Sequence, residues 1–210
     1  MPDVFISQKK KEEIKVATST LKGHTHNPLA SYCPNPEDAR FVGQDKEEKI
    51  VLLLRRHPIT NVGWILIAIL MIFAPIVLTK FPLITFLPDR FQLVAMILWY
   101  LVIIAFVYEQ FLDWYFNVFI ITDERVIDVD FINLIYREVT DANIDRIQDV
   151  TVQMGGVIRA LFNYGNVIIQ TAAEIPLIEF ESVPKPDEVA KVLRELRVEE
   201  ELEKIEGRVR

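Results

Sequence analysis

Two regimes of hydrophobic patterning divide this chain. From Ile59 to Gln110 the apolar residues run on without the period of two or 3.6 that marks a half-buried strand or an amphipathic helix. Nearly all the charge lies outside that stretch. Val62–Thr79 (VGWILIAILMIFAPIVLT) and Phe91–Tyr108 (FQLVAMILWYLVIIAFVY) are each 18 residues long and uncharged, about the minimum for a bilayer-spanning helix. The second can continue past Glu109 to Asp113. The pattern predicts a two-helix transmembrane hairpin over residues 61–113. Pro75 removes a backbone donor and predicts a bend. Lys80, Pro82, Pro88 and Asp89 mark the connection. Trp64, Trp114 and Tyr115 lie near the helix ends on the opposite side, where amphipathic rings favour the headgroup zone. That side also carries more basic residues (Lys46, Lys49, Arg55, Arg56 and Arg125) than the connection, which has Lys80 and Arg90. This bias predicts that both termini are cytoplasmic in a multi-pass protein of the cell membrane.

Beyond the hairpin the period shortens. FNVFIITDERVIDVDF, from Phe116, reads as two strands around a tight turn at Thr122–Arg125, with Asp123 and Glu124 in the turn. INLIYREVT reads as a third strand. In IDRIQDVTVQM, Ile144, Ile147, Val150 and Val152 are apolar points among charges. Gly155-Gly156 breaks the chain, and VIRALFNY then has helical spacing with Val157, Leu161 and Tyr164 on one face. Gly165 is expected to end that helix in a positive-φ conformation. NVIIQTA and PLIEFESV read as two more strands. A final helix begins at Pro184-Lys185-Pro186, with Asp187 and Glu188 suited to its N-terminus and Val189, Val192, Leu193 and Leu196 as its apolar face. The predicted fold class is an α+β membrane protein: a transmembrane hairpin, then a curved antiparallel sheet closed at one end by a helix.

The flanks complete the division. Residues 1–45 are polar, contain Pro28, Pro34 and Pro36, show no sustained period and are expected to be disordered. Residues 46–60 read as a juxtamembrane segment, 115–198 as the β domain, and 199–210 as a charged helical extension beginning Glu199-Glu200-Glu201. Lys9–Lys11 are followed by Glu12 and Glu13, so the N-terminus does not read as a signal peptide.

Charge narrows the partners. The chain carries a net −7. Tyr115–Pro186 holds five Lys/Arg against eleven Asp/Glu, which argues against nucleic acid. Cys33 is the single cysteine, so no disulfide forms within the chain. His24, His26 and Cys33 lack the spacing of a zinc site; no metal and no cofactor are expected.

Four stretches in order resemble a known family: Glu47–His57 (EEKIVLLLRRH), Phe119–Asp128 (FIITDERVID), Ile144–Val152 (IDRIQDVTV) and Leu161–Thr171 (LFNYGNVIIQT), with Val183-Pro-x-Pro at the end. The chain resembles, over Glu47 to Arg197, the bacterial membrane-anchored pleckstrin-homology (PH) domain family of the YdbS type. The resemblance implies a PH-like β-sandwich or barrel with a C-terminal helix, and a binding or scaffold module. Eukaryotic PH domains often bind inositol phospholipids through basic residues around the first hairpin. Here that hairpin has only Arg125, so phosphoinositide binding is not expected.

Candidate chemistry is sparse. Asp145 and Asp149 flank Arg146, and paired carboxylates can do acid–base work, but His24, His26 and His57 all precede the hairpin. Gly155-Gly156 is not followed by the Lys-Ser/Thr of a phosphate loop. No enzyme is expected. Arg159 is alone on its short helix and reads as a surface cation. Arg55 and Arg56 are open to three roles: fixing topology, binding lipid phosphate, or pairing with Glu109 and Asp113, which lie at i and i+4 on the second helix. The expected partners are the lipid bilayer and either a second copy or another membrane protein. The alternative function is an accessory subunit of a transport or cell-envelope machine.

Overall fold

The computed structural model describes residues 29–36, 40–41, 43–45, 48–78, 88–131, 137–172 and 176–205. The expectations for residues 1–28, for the hairpin connection 79–87 and for 206–210 lie outside them.

Two apolar helices form the hairpin: α1 (Val62–Leu78) contains Pro75, and α2 is Asp89–Phe116. They pack against each other, with the Trp99 indole N–H donating to the Met71 carbonyl at 2.9 Å. Both are long and apolar enough to cross a membrane, and only 11% and 6% of their apolar windows are buried. Core helices of a soluble domain would be mostly buried, so the domain does not cover these two.

The β structure is two antiparallel sheets. The first has five strands in the order β1 (Tyr32–Pro34), β2 (Ile50–Arg55), β3 (Val118–Thr122), β4 (Arg125–Phe131), β5 (Arg137–Asn143). The second holds β6 (Ile147–Gln153), β7 (Tyr164–Thr171) and β8 (Leu177–Pro184). Between β6 and β7 lies the short helix α3 (Val157–Leu161), and α4 (Pro186–Ile205) follows β8. Inward-facing Leu52, Leu54, Phe119, Ile121, Val167, Ile169 and Phe180 meet Val189 and Leu193 of α4 in one core. Phe119 and Phe180 stack across the sheets at 4.6 Å. Large side chains alternating on both inner faces make the two sheets adhere. Arg194 and Arg197 of α4 donate to the carbonyls of Val150 and Gln148.

Four expectations need correction. The two sheets remain separate, so there is no closed barrel. The domain does not begin at residue 115: β2, from the juxtamembrane segment, pairs with β3 (Leu54 opposite Phe119). The hairpin is therefore inserted within a sheet. Its flanks, IVLLLR and VFIIT, are each β-rich runs that need a neighbour, and each is the other's. Within the tail expected to be disordered, Tyr32–Pro34 forms the edge strand on β2, with Cys33 buried against Leu53; one polar-looking segment is ordered because it caps an otherwise open sheet edge. Finally, Gly165 lies inside β7 opposite Val183, and the left-handed residue after the short helix is Asn163 (φ 50°). Glycine is required at 165 for space: a Cβ would lie 2.6 Å from Met154 Cγ and 2.7 Å from the Gln153 carbonyl oxygen. The Gly155-Gly156 break is as expected, with Gly156 at φ 93° leading into α3.

Candidate functional site

The inner face of β4 changes character along its length. Val126 is core, but the next residues with the same orientation, two and four further on, are Asp128 and Asp130. Opposite them on β5 stand Thr140 and Glu138, while Ala142 faces Val126. The apolar contacts joining the sheets therefore stop partway, and a cleft opens between β4–β5 and β8. It encloses about 310 Å³ and is lined by Arg56, Asp128, Asp130, Glu138, Thr140, Glu179 and Glu181, with Phe119, Leu177 and Ile178 beneath.

Arg56 is the one cation of the cleft among the described residues and joins it to the hairpin. It reaches Glu181 at 3.0 Å and Asp113, in the last turn of α2, at 3.7 Å. Its carbonyl accepts from the buried Trp114 indole at 2.8 Å. Asn117, which follows α2, bonds Asp113 and accepts from the Phe131 amide at the end of β4. The acidic end of the sheet is therefore held against the helix ends.

Asp128 is only 8% exposed, and its Oδ1 has no hydrogen-bond partner. Burial, then the charge of Asp130, with Glu181 and Glu138 adding, pushes its carboxyl up to about 7 against the opposing pull of Arg56. A buried carboxylate oxygen without a hydrogen-bond partner is costly. Five carboxylates surround the Arg56 guanidinium, so the described lining is acidic on balance. Among the described residues no group of three or more His, Cys, Asp or Glu is placed to hold a metal ion.

The predicted residues divide as follows. Arg56 and Asp113 meet. Arg55 instead stacks over the Tyr115 ring at 4.7 Å, and burial lowers its affinity for a proton. Glu109 is exposed and forms no ion pair among the described residues. Asp123 accepts from the Lys49 amide at 2.8 Å, and the Glu124 carbonyl accepts from Ile144. Both belong to the turn, where the Thr122 hydroxyl accepts from the amides of Glu124 and Arg125. Asp145 pairs with Lys204 at 2.7 Å, and Asp149 accepts from the Thr151 hydroxyl. Gly155 faces open space.

Two features went unseen in the sequence. One is the cleft, whose signal is the placement of Asp128 and Asp130 in register with core Val126. The other is Glu48, whose carboxylate is fully buried. Arg125 clamps it with two bonds of 3.0 and 2.9 Å and also donates to the Gly43 carbonyl. Burial alone would raise the Glu48 carboxyl; the bonds from Arg125, with those from Thr122 and Asp45, outweigh this and lower it. The one basic residue of the first hairpin is therefore engaged with carboxylates of its own chain.

A family model described as "Bacterial PH domain" matches residues 51–197. No curated protein and no solved structure matches the chain.

Proposed function

The chain belongs to the bacterial PH-domain family, and from that membership we propose that it is a membrane-anchored binding module on the cytoplasmic face of the cell membrane. Its hairpin crosses the bilayer, and its acidic cleft receives an ammonium or guanidinium group. The family itself points to a binding or scaffold module. What supports the rest is Arg56, which touches the end of the hairpin through Asp113 and the cleft through Glu181. The binding position lies where the domain meets the membrane, within reach of a lipid headgroup amine or a basic segment of a neighbouring protein. Inositol phospholipids do not suit a cleft of this charge, and the reading includes no catalytic step.

The test uses the full chain in nanodiscs with spermidine as the ammonium probe. Saturable binding that is lost in Asp128→Asn, with the fold intact by circular dichroism, is the expected result. Binding unchanged by that substitution, or none, would overturn the cleft as the site. Reporter fusions at the N-terminus, beside Asp89 and at the C-terminus test the anchoring. An external C-terminus would overturn the cytoplasmic placement.

A further inference from the structure

The segment between β6 and β7 is built unlike the rest of the domain. Met154, Val157, Ile158, Leu161 and Phe162 are 42%, 86%, 62%, 76% and 48% exposed. Five large apolar residues within nine positions, all open, form a contiguous patch rather than the scattered exposure normal for a soluble surface. A five-residue helix gains little from its own backbone, and here it does not use its apolar side chains to pack on the core.

Its charge is also distinct. From Val150 to Ala173 the chain has no carboxylate, and Arg159 is its one charged residue. In a domain dominated by acids, the exposed apolar patch coincides with a stretch free of carboxylates, which an anionic surface would not repel.

Position supplies the occupant. Asn163 accepts from the Lys185 amide, and Tyr164, directly after it, stacks on His57 at 5.2 Å. The Arg159 guanidinium lies 6.0 Å from the same Tyr164 ring. His57 bonds Ser182 and caps the 3-10 turn Pro58–Asn61, which runs straight into α1. The patch therefore sits beside the point where the chain enters its first apolar helix.

We propose that Met154–Phe162 is a second membrane contact, in which the apolar side chains of α3 enter the lipid interface of the same leaflet while Arg159 meets lipid phosphate. This rests on the reading that the hairpin spans the bilayer, and it adds that the domain lies down on the membrane rather than hanging from the hairpin. An apolar helix face of this kind sits about 5–10 Å into the headgroup and acyl boundary. Gly156 allows the sharp turn that presents it.

The experiment uses the full chain in nanodiscs with Cys33→Ser as background, carrying an environment-sensitive fluorophore on Ile158→Cys or Leu161→Cys. Glu201→Cys, toward the far end of α4, is the control. The expected result is a blue-shifted emission at 158 and 161, quenched several-fold more than at 201 by lipids spin-labelled near the headgroup. A companion protein, labelled at Val157→Cys and carrying Ile158→Asp and Leu161→Asp, should lose that quenching while remaining resistant to alkaline extraction. If labels at 158 and 161 behave like the one at 201 and the chain still resists extraction, the second contact is refuted and the anchor stands. If alkaline extraction releases the unsubstituted chain, the anchor fails and this inference fails with it.

Discussion

Replacing Asp128 by Asn should make the protein more stable at neutral and alkaline pH. In the unfolded chain the carboxyl has its ordinary value of 3.8, and in the fold it is raised to about 7. Below 3.8 both states hold the proton and the group is neutral to stability. As the pH rises from there to 7 the unfolded chain releases its proton while the fold retains it, so stability falls and then levels off. A gap of this size corresponds to about 4 kcal/mol at full effect. Water reaching the open cleft screens the neighbouring charges and brings the expected loss nearer to about 2 kcal/mol. Asparagine keeps the shape and removes the charge, so it should abolish this part of the pH dependence. Thermal melts of the full chain in detergent at pH 4.5 and pH 8 measure it. For a chain of this length, about 2 kcal/mol corresponds to roughly 4–8 °C in Tm. The gain should appear at pH 8 and shrink at pH 4.5. An Asn variant no more stable than the parent at pH 8, or a gain equal at both pH values, would refute the account. Confirmation would identify a residue that costs the fold stability at the position where binding is proposed, as stability–function trade-offs lead one to expect.

Glu48→Gln should destabilise the domain by about 3 kcal/mol, because it leaves the Arg125 clamp without its buried counter-charge; denaturant melts that match the parent would count against it. The Glu48 carboxyl is lowered in the fold, so its contribution is present above its ordinary value of 4.5 and should fade as the pH falls through the lower folded value. Gly165→Ala should cost about 1–3 kcal/mol through its contact with the Gln153 carbonyl, and a neutral effect would mean that β6 and β7 can separate at no cost. Joining Arg55 to Val118 by a short Gly-rich turn should yield a folded, water-soluble β domain, since the two residues are register partners, whereas a fragment beginning at Tyr115 should remain unfolded. Circular dichroism and amide dispersion in NMR spectra distinguish the two, and a folded Tyr115 fragment would refute the pairing.

Much of the secondary structure could be read from the sequence because its signals are local. The turn at Thr122–Arg125, the Gly155-Gly156 break and Pro186 at the head of α4 each depend on residues within a few positions of one another. The helices were legible from unbroken apolar runs. What escaped depends on distant partners. IVLLLR carries the same apolar run whether it stands alone before a membrane or pairs with VFIIT beyond it. Tyr32–Pro34 has no periodicity of its own and is ordered only by the edge it covers. Gly165 has the local signature of a conformational glycine, but the need for it comes from Gln153 and Met154 across a strand pair. The cleft was hidden because Asp128 and Asp130 look like solvated strand residues until Val126 shows which face they share. Of the expected ion pairs, Arg56–Asp113 formed because both flank the hairpin at the sheet, whereas Glu109 lies one helical turn further from it.

The insertion of the hairpin between two neighbouring strands also fixes the order of biosynthesis. The ribosome delivers β2 long before β3, and the two apolar helices emerge in between. β2 therefore waits with its hydrogen-bonding edge exposed until the hairpin has been disposed of and β3 arrives beside it. If the hairpin spans the bilayer as proposed, Arg55 and Val118 are held at neighbouring exits once the helices are seated, and a pairing that is remote along the chain becomes as local as a tight turn. On that reading membrane insertion acts as the folding step that closes the loop, and a chain that fails to insert leaves an unpaired β edge for quality control to recognise.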